Sequence, residues 1–226
     1  MTKILALDTS TDACSVALSL DGEIKEDFRI IPRQHTQQLL PMVESILVEN
    51  GMKVKDLDAI AFGRGPGSFA GIRIATGVTQ GLAYAANLPV IPVSTLEALA
   101  LAAFEKEGAE TIVPALDARM NEIYVACYRL QAGVPVSLLR EHVCAPADLA
   151  LPDEPFLAVG SGWRYLNSMN EVTKSRVTLS SETYYPSAAD MLKLALPGWQ
   201  QKTVSASEAL PVYLRDEVAW KKKDQQ

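Results

Sequence analysis

Two stretches of this chain have the residue types that handle a phosphate or a metal. The first, Asp8-Thr9-Ser10-Thr11-Asp12-Ala13, follows directly on a short apolar run. A turn of small hydroxyl residues can aim backbone N–H groups at an anion while Asp8 holds a metal through water. Taken alone, the stretch reads better as an Asx or Ser/Thr turn whose side chains bond their own backbone. The second, Gly63-Arg64-Gly65-Pro66-Gly67-Ser68-Phe69-Ala70-Gly71, is richer. Its glycines allow positive φ and close backbone approach just before a helix N-terminus. No Lys-Ser/Thr pair follows them, so it is not a Walker A loop. Gly65, Gly67 and Ala70 satisfy the loose dinucleotide pattern. They follow the fourth predicted strand, however, and the next strand ends in Val93-Ser94-Thr95 where an acidic ribose ligand belongs.

Other chemistry is poorly represented. His35 and His142 stand alone and far apart, with no HExxH and no Cys/His cluster, which argues against a metallohydrolase. No serine sits in G-x-S-x-G, and a Ser-His-Asp triad would have to be assembled from distant residues. Cys14, Cys127 and Cys144 form no CxxC and lie among apolar neighbours, as small buried hydrophobes do.

These loops need elements to hold them. Lys3–Leu7, Cys14–Leu20 and Glu23–Ile31 read as three antiparallel strands, with Asp21-Gly22 as the hairpin turn. From Thr36 the period changes: Leu39, Leu40, Val43, Ile46 and Leu47 share one helical face, in a helix kinked or begun near Pro41 and stopped at Asn50-Gly51. A strand over 57–62, a tight loop over 63–67, a helix over 70–86, a strand over 89–93 and an Ala/Leu-rich helix over 95–106 complete a β-β-β-α-β-α-β-α order. That order predicts a mixed sheet with helices on its faces. The second half restarts similarly over 111–116, 123–130 and 134–143, around a polar turn at 117–121. It then thins to a strand over 155–159, a Gly160-Ser161-Gly162 loop and a helix over 187–196. Gly77, Gly81, Ala75, Ala83 and Ala85 give one helix a flank small enough for another helix to approach closely.

The chain has 226 residues, 48% of them hydrophobic and 21% charged, which fits a globular protein of one large domain or two lobes. A net charge of −6 argues against a large nucleic-acid footprint, which needs Lys and Arg to neutralise phosphates. The one basic run, Lys221-Lys222-Lys223, reads as a solvated helix end. The N-terminal apolar run meets Asp8 too soon for a secretory segment or a membrane span, which places the protein in the cytoplasm.

In sum these residues resemble the TsaB (YeaZ) family of the bacterial tRNA threonylcarbamoyladenosine machinery. The resemblance runs through Leu5-Ala6-Leu7-Asp8-Thr9-Ser10, the His35-Thr36 to Pro41 helix entry, Gly65-Pro66-Gly67-Ser68-Phe69, Gly71-Ile72-Arg73-Ile74 and Gly81-Leu82-Ala83. It continues through Asp117-Ala118-Arg119, Gly160-Ser161-Gly162 and Pro211-Val212-Tyr213-Leu214-Arg215. Ala70 for a usual Thr and Ala75 for a usual Gly are small departures. The resemblance implies an α/β actin-like ATPase (ASKHA, RNase H-like) fold: an N-terminal lobe over 1–103 and a reduced C-terminal lobe over 104–226, each a mixed sheet flanked by helices. It leaves open whether the segment from Pro211 packs back on the first lobe.

It also implies a catalytic paralogue, TsaD, which transfers threonylcarbamoyl from threonylcarbamoyl-AMP to the adenosine 3′ of the tRNA anticodon, and an ATPase, TsaE, that joins them. The TsaD family carries an H-x-x-x-H metal pair where this chain has Thr95 and Leu99. A hydroxyl is a poor ligand and an isobutyl group none, so the site is degenerate. The expectation is a non-catalytic scaffolding subunit without cofactor or metal, a homodimer in the absence of TsaD, touching tRNA only through the complex. The resemblance places the docking surface on Leu39, Leu40, Val43, Ile46, Leu47, Ile74, Ala75, Val78 and Leu82, so that Val43→Glu should abolish partner binding and leave the monomer folded. A vestigial nucleotide site falls on Asp8, Thr9, Ser10, Asp117, Gly160 and Gly162. The rivals are an ATP-binding kinase or hydrolase using Asp8, Asp117, Gly160 and Gly162 on phosphates and Mg²⁺, a peptidase and, last, a Rossmann oxidoreductase.

Overall fold

The computed structural model describes residues 2–215; the Lys221–Lys223 run lies outside them. The first sheet is built from β1 (Lys3–Asp8), β2 (Ala13–Leu20), β3 (Glu23–Ile30), β4 (Ala59–Gly65) and β5 (Val90–Ser94), in the order β3-β2-β1-β4-β5. The second holds β6 (Thr111–Arg119), β7 (Glu122–Gln131), β8 (Val134–Cys144), β9 (Phe156–Val159) and β10 (Val177–Leu179), in the order β10-β9-β6-β7-β8. Each sheet is an antiparallel meander extended by two parallel strands beside its first strand. β1 and β6, β4 and β9 therefore hold equivalent places. Asp21 and Gly22 have φ of 53° and 91°, the conformation that a two-residue hairpin turn demands.

Helices fill the faces. In β1, Leu5 and Leu7 point to a core made with α1 (His35–Glu49) and α2 (Phe69–Ala86), while Ile4 and Ala6 point to the opposite face. Burial on both sides explains why β1 reads as a continuous apolar run and not as an alternation. α3 (Thr95–Glu107) buries Leu96, Ala98, Leu99, Ala100, Ala103 and Phe104, because it packs on the second sheet as well as the first. Pro41 neither starts nor breaks α1, which is continuous through it. The lost N–H costs about 3 kcal/mol at a helix interior; burial of Leu39, Met42, Val43, Ile46 and Leu47 outweighs it.

Three features depart from the expected elements. Gly160-Ser161-Gly162 opens a 3-10 run over Ser161–Ser168; α4 (Glu171–Arg176) follows it, and then β10. All are short, three to eight residues, and too brief for a period to be read from the sequence. The chain then returns. α5 (Ala188–Ala195) lays Ala188, Met191, Leu192 and Ala195 on the first sheet, against Ile4, Ala6, Ala17, Ala59 and Ala61. Val204 pairs with Val90 at the sheet edge. The first lobe's core is thus completed by residues from the end of the chain. Among the described residues no helix is long and apolar enough to cross a membrane.

Candidate functional site

The two candidate loops of the first lobe meet at the ends of β1 and β4. Asp8 is fully buried, and its Oδ1 accepts from the Ser10 N–H at 3.0 Å and the Ser10 hydroxyl at 2.8 Å. Its Oδ2 has no partner. Burial without a counter-charge raises the carboxyl from 3.8 to about 6, the Ser10 bonds only partly opposing the shift. That second oxygen faces Gly63, where any side chain would collide with it, and the Met191 methyl of α5 closes on the same spot.

The hydroxyls beside Asp8 are equally committed. Thr9 Oγ1 donates to the Gly71 carbonyl at 2.6 Å, and the Ser68 N–H donates to the Ser10 carbonyl at 2.7 Å. Residue 71 must be glycine, because a Cβ there would run into the Thr9 carbonyl. Ser68 caps α2, its hydroxyl accepting from the Gly71 N–H at 3.4 Å. The glycine-rich loop is therefore pressed against the Asp8–Ser10 turn, and each satisfies groups that in an anion site would face a ligand.

The equivalent corner of the second lobe is occupied in its own way. Asp117 accepts from the Tyr165 hydroxyl at 3.2 Å and the Arg119 N–H at 2.9 Å, and it pairs with Arg164 at 3.1 Å and Arg119 at 3.6 Å. Gly160 and Gly162 pack tightly on Ala115, and the Ser161 hydroxyl accepts from the Asp117 N–H at 3.1 Å. Asp117, Gly160 and Gly162 are thus brought together, as are Asp8, Thr9 and Ser10. Among the described residues no hydrogen bond or ion pair joins one set to the other.

Thr95 and Leu99 are both fully buried at the start of α3. Beside them lies a polar cluster that sequence reasoning missed. Glu141 of β8 accepts from the Ser94 hydroxyl, from the Tyr128 hydroxyl at 3.4 Å and from Arg64 at 3.0 Å. Burial, and then the nearby Glu141 charge, raise the Glu97 carboxyl above its usual range. The cluster ties β8 to the first lobe; Arg64 and Glu141 are too far apart in sequence for any spacing to reveal the pair.

Nucleophile chemistry finds little support. Burial pushes Cys14 and Cys127 up to about 12 and Cys144 to about 11, so each stays a thiol at neutral pH. His35 Nε2 lies 3.1 Å from the Ala13 carbonyl and His142 Nδ1 2.9 Å from that of Arg140, each spending a nitrogen on backbone. Among the described residues no group of three or more His, Cys, Asp or Glu is placed to hold a metal.

The expected docking surface divides in two, and most of it needs correction. Leu39, Val43, Ile46, Leu47 and Ala75 are at most 5% exposed and form this lobe's own core, so the face chosen by periodicity is the one turned to the sheet. Leu40 is 51% exposed, and Ile74, Val78 and Leu82 are partly buried. Around these lie Gly77 and Gly81 with open space above them, and the exposed Phe69 and Tyr84.

Two five-stranded lobes of the same order, each with an aspartate at or near the end of its first strand and a glycine turn at the end of its fourth, define an actin-like, RNase H-like chain. A family model described as TsaD, tRNA N6-adenosine threonylcarbamoyltransferase, matches residues 29–223. The chain is 44% identical to the tRNA threonylcarbamoyladenosine biosynthesis protein TsaB of Haemophilus influenzae, over 97% of this chain and 96% of that protein. It is 43% identical to TsaB of Escherichia coli strain K12, over 97% of each. The solved structure of YeaZ from Pseudomonas aeruginosa superposes with a TM-score of 0.88 at 46% identity, over 95% of this chain and all of that one. The chain belongs to the TsaB/YeaZ family.

Proposed function

We propose that this chain is a cytoplasmic, non-catalytic subunit in tRNA threonylcarbamoyladenosine biosynthesis, acting by docking to the threonylcarbamoyltransferase TsaD and keeping it competent. It also helps receive the ATPase TsaE. Without TsaD it pairs with a second copy of itself, and tRNA reaches it only through the complex. One observation carries this reading: the groups an actin-like nucleotidase would turn to phosphate and metal are engaged or enclosed by the chain itself. Asp8 is sealed under Gly63 and Met191, and Asp117 is held by Arg119, Arg164 and Tyr165. α2 meanwhile keeps an uncovered flank of Gly77 and Gly81 beside Ile74, Val78 and Leu82. Small residues let a second helix come close enough for extensive dispersion contact.

Reconstituted threonylcarbamoyl transfer, with and without this chain and then without TsaD, tests the proposal. Product should require both proteins. Modified tRNA made by this chain in the absence of TsaD would overturn it, and Mg-ATP turnover by the chain alone would favour a kinase or hydrolase.

A further inference from the structure

The chain leaves the first lobe's core at Ala209, which is fully buried, and runs to Arg215 without regular secondary structure. It is held on both lobes. On the first, Gln80 of α2 donates to the Ala209 carbonyl at 2.9 Å, and the Val212 N–H donates to the Arg64 carbonyl at 2.8 Å. Tyr213 accepts from Arg73 Nε at 2.7 Å; the Arg73 guanidinium lies 3.6 Å over the Phe69 ring, whose centroid is 5.9 Å from that of Tyr213. On the second, Arg215 donates to the Ala118 carbonyl at 3.3 Å and pairs with Glu122, at the turn between β6 and β7.

Seven residues thus span from the docking helix to the Asp117 corner. They cross the glycine-rich loop closely enough that a Cβ at Gly65 would sit 3.2 Å from the Val212 carbonyl oxygen. Arg64 is gripped at both ends, its carbonyl by this segment and its guanidinium by Glu141.

The grip lies at the surface. Leu210 is 61% and Tyr213 46% exposed, and the Arg215 and Glu122 side chains are 26% and 35% exposed. Such contacts are open to salt and water, and segments with few buried apolar contacts open at lower free energy than the core around them. We propose that residues 210–215, leading away from the buried Ala209, are a releasable strap. Closed, the strap fixes the glycine-rich loop and the first turn of α2 to the second lobe. Released, it frees both while the two sheets stay folded. The consequence for a partner on α2, weaker seating when the strap is open, rests on the docking reading; the strap itself does not.

Hydrogen exchange of the full chain, without any partner, tests the strap directly. In Glu122→Arg, amides of residues 64–73 and 117–122 should exchange at least about tenfold faster, while those of β1, β2 and α1 keep the wild-type rate. Adding Arg215→Glu should restore protection in both segments, and 1 M salt should speed the same two segments in the wild type. Tyr213→Ala, which leaves the ion pair intact, should loosen residues 64–73. The proposal is overturned if faster exchange is confined to 210–215, if it spreads through both sheets, or if the charge-swapped pair does not regain protection. A weakened TsaD affinity in Glu122→Arg is expected if docking on α2 also holds. Unchanged affinity alongside the predicted exchange would sink the claimed effect of the strap on a partner at α2 and leave the strap itself standing.

Discussion

Asp8 is where a single side chain reveals most. Its carboxyl titrates near 3.8 in an unfolded chain and at about 6 here. Between those values the native state holds the proton that the unfolded state has released, so stability falls as pH rises through this window. A shift of this size corresponds to about 3 kcal/mol at most. Asp8→Asn should flatten the decline between pH 4 and 6, as read from urea unfolding at a series of pH values. A wild-type slope retained in the variant would show that another group causes it. At Gly71 the argument is steric. The Thr9 carbonyl fills the place of a Cβ, so Gly71→Ala must push β1 and α2 apart and should cost about 3 kcal/mol or more in the same assay.

Helical periodicity locates an apolar face but not what lies against it. In α1 the stripe Leu39, Val43, Ile46 and Leu47 meets Leu5, Leu7, Val16 and Leu18 of the sheet. Val43→Glu therefore puts a charge into the lobe's own core, costing about 3–5 kcal/mol, and should lower the melting temperature sharply instead of selectively blocking a partner. The informative substitution is on the other side of α2. Gly77 has open space above it, and replacing a helical glycine with glutamate gains about 0.5–1 kcal/mol of helix propensity. Gly77→Glu should hold or raise the melting temperature and yet prevent co-elution with TsaD. Co-elution at wild-type affinity would exclude α2 as the docking face.

Across the whole molecule, the two lobes are joined by more than the linking chain. α3 packs on both sheets, α5 carries the C-terminal half back to the first, and Glu141 reaches from β8 to Arg64 and Ser94. The Arg64 and Glu141 side chains are 26% and 12% exposed, so the pair is only partly screened. Arg64→Ala would leave Glu141 without its ion-pair partner and close to Glu97, whose charge Lys202 alone would then offset. It should cost about 1–3 kcal/mol in urea unfolding. A loss below a few tenths of a kcal/mol would mean that solvent already screens this tie.

The strands of both meanders, the Asp21-Gly22 turn and helices α1, α2 and α3 were legible because each is encoded locally, in hydrophobic period, caps and turn residues a few positions apart. So was the family resemblance, carried by ordered short motifs from Leu5 to Arg215. What stayed hidden depends on pairs distant in the chain. The 3-10 run after Gly160, α4 and β10 are too short to show a period, and the Arg64–Glu141 tie, the Met191 cover over Asp8 and the strap join segments tens of residues or more apart. Above all, the sequence marks Val43 and Val78 alike as apolar residues on helices. Only the packing of α1 and α2 on the first sheet decides that Val43 is sealed inside while Val78 lies beside the open flank, because burial is set by what the rest of the chain brings alongside.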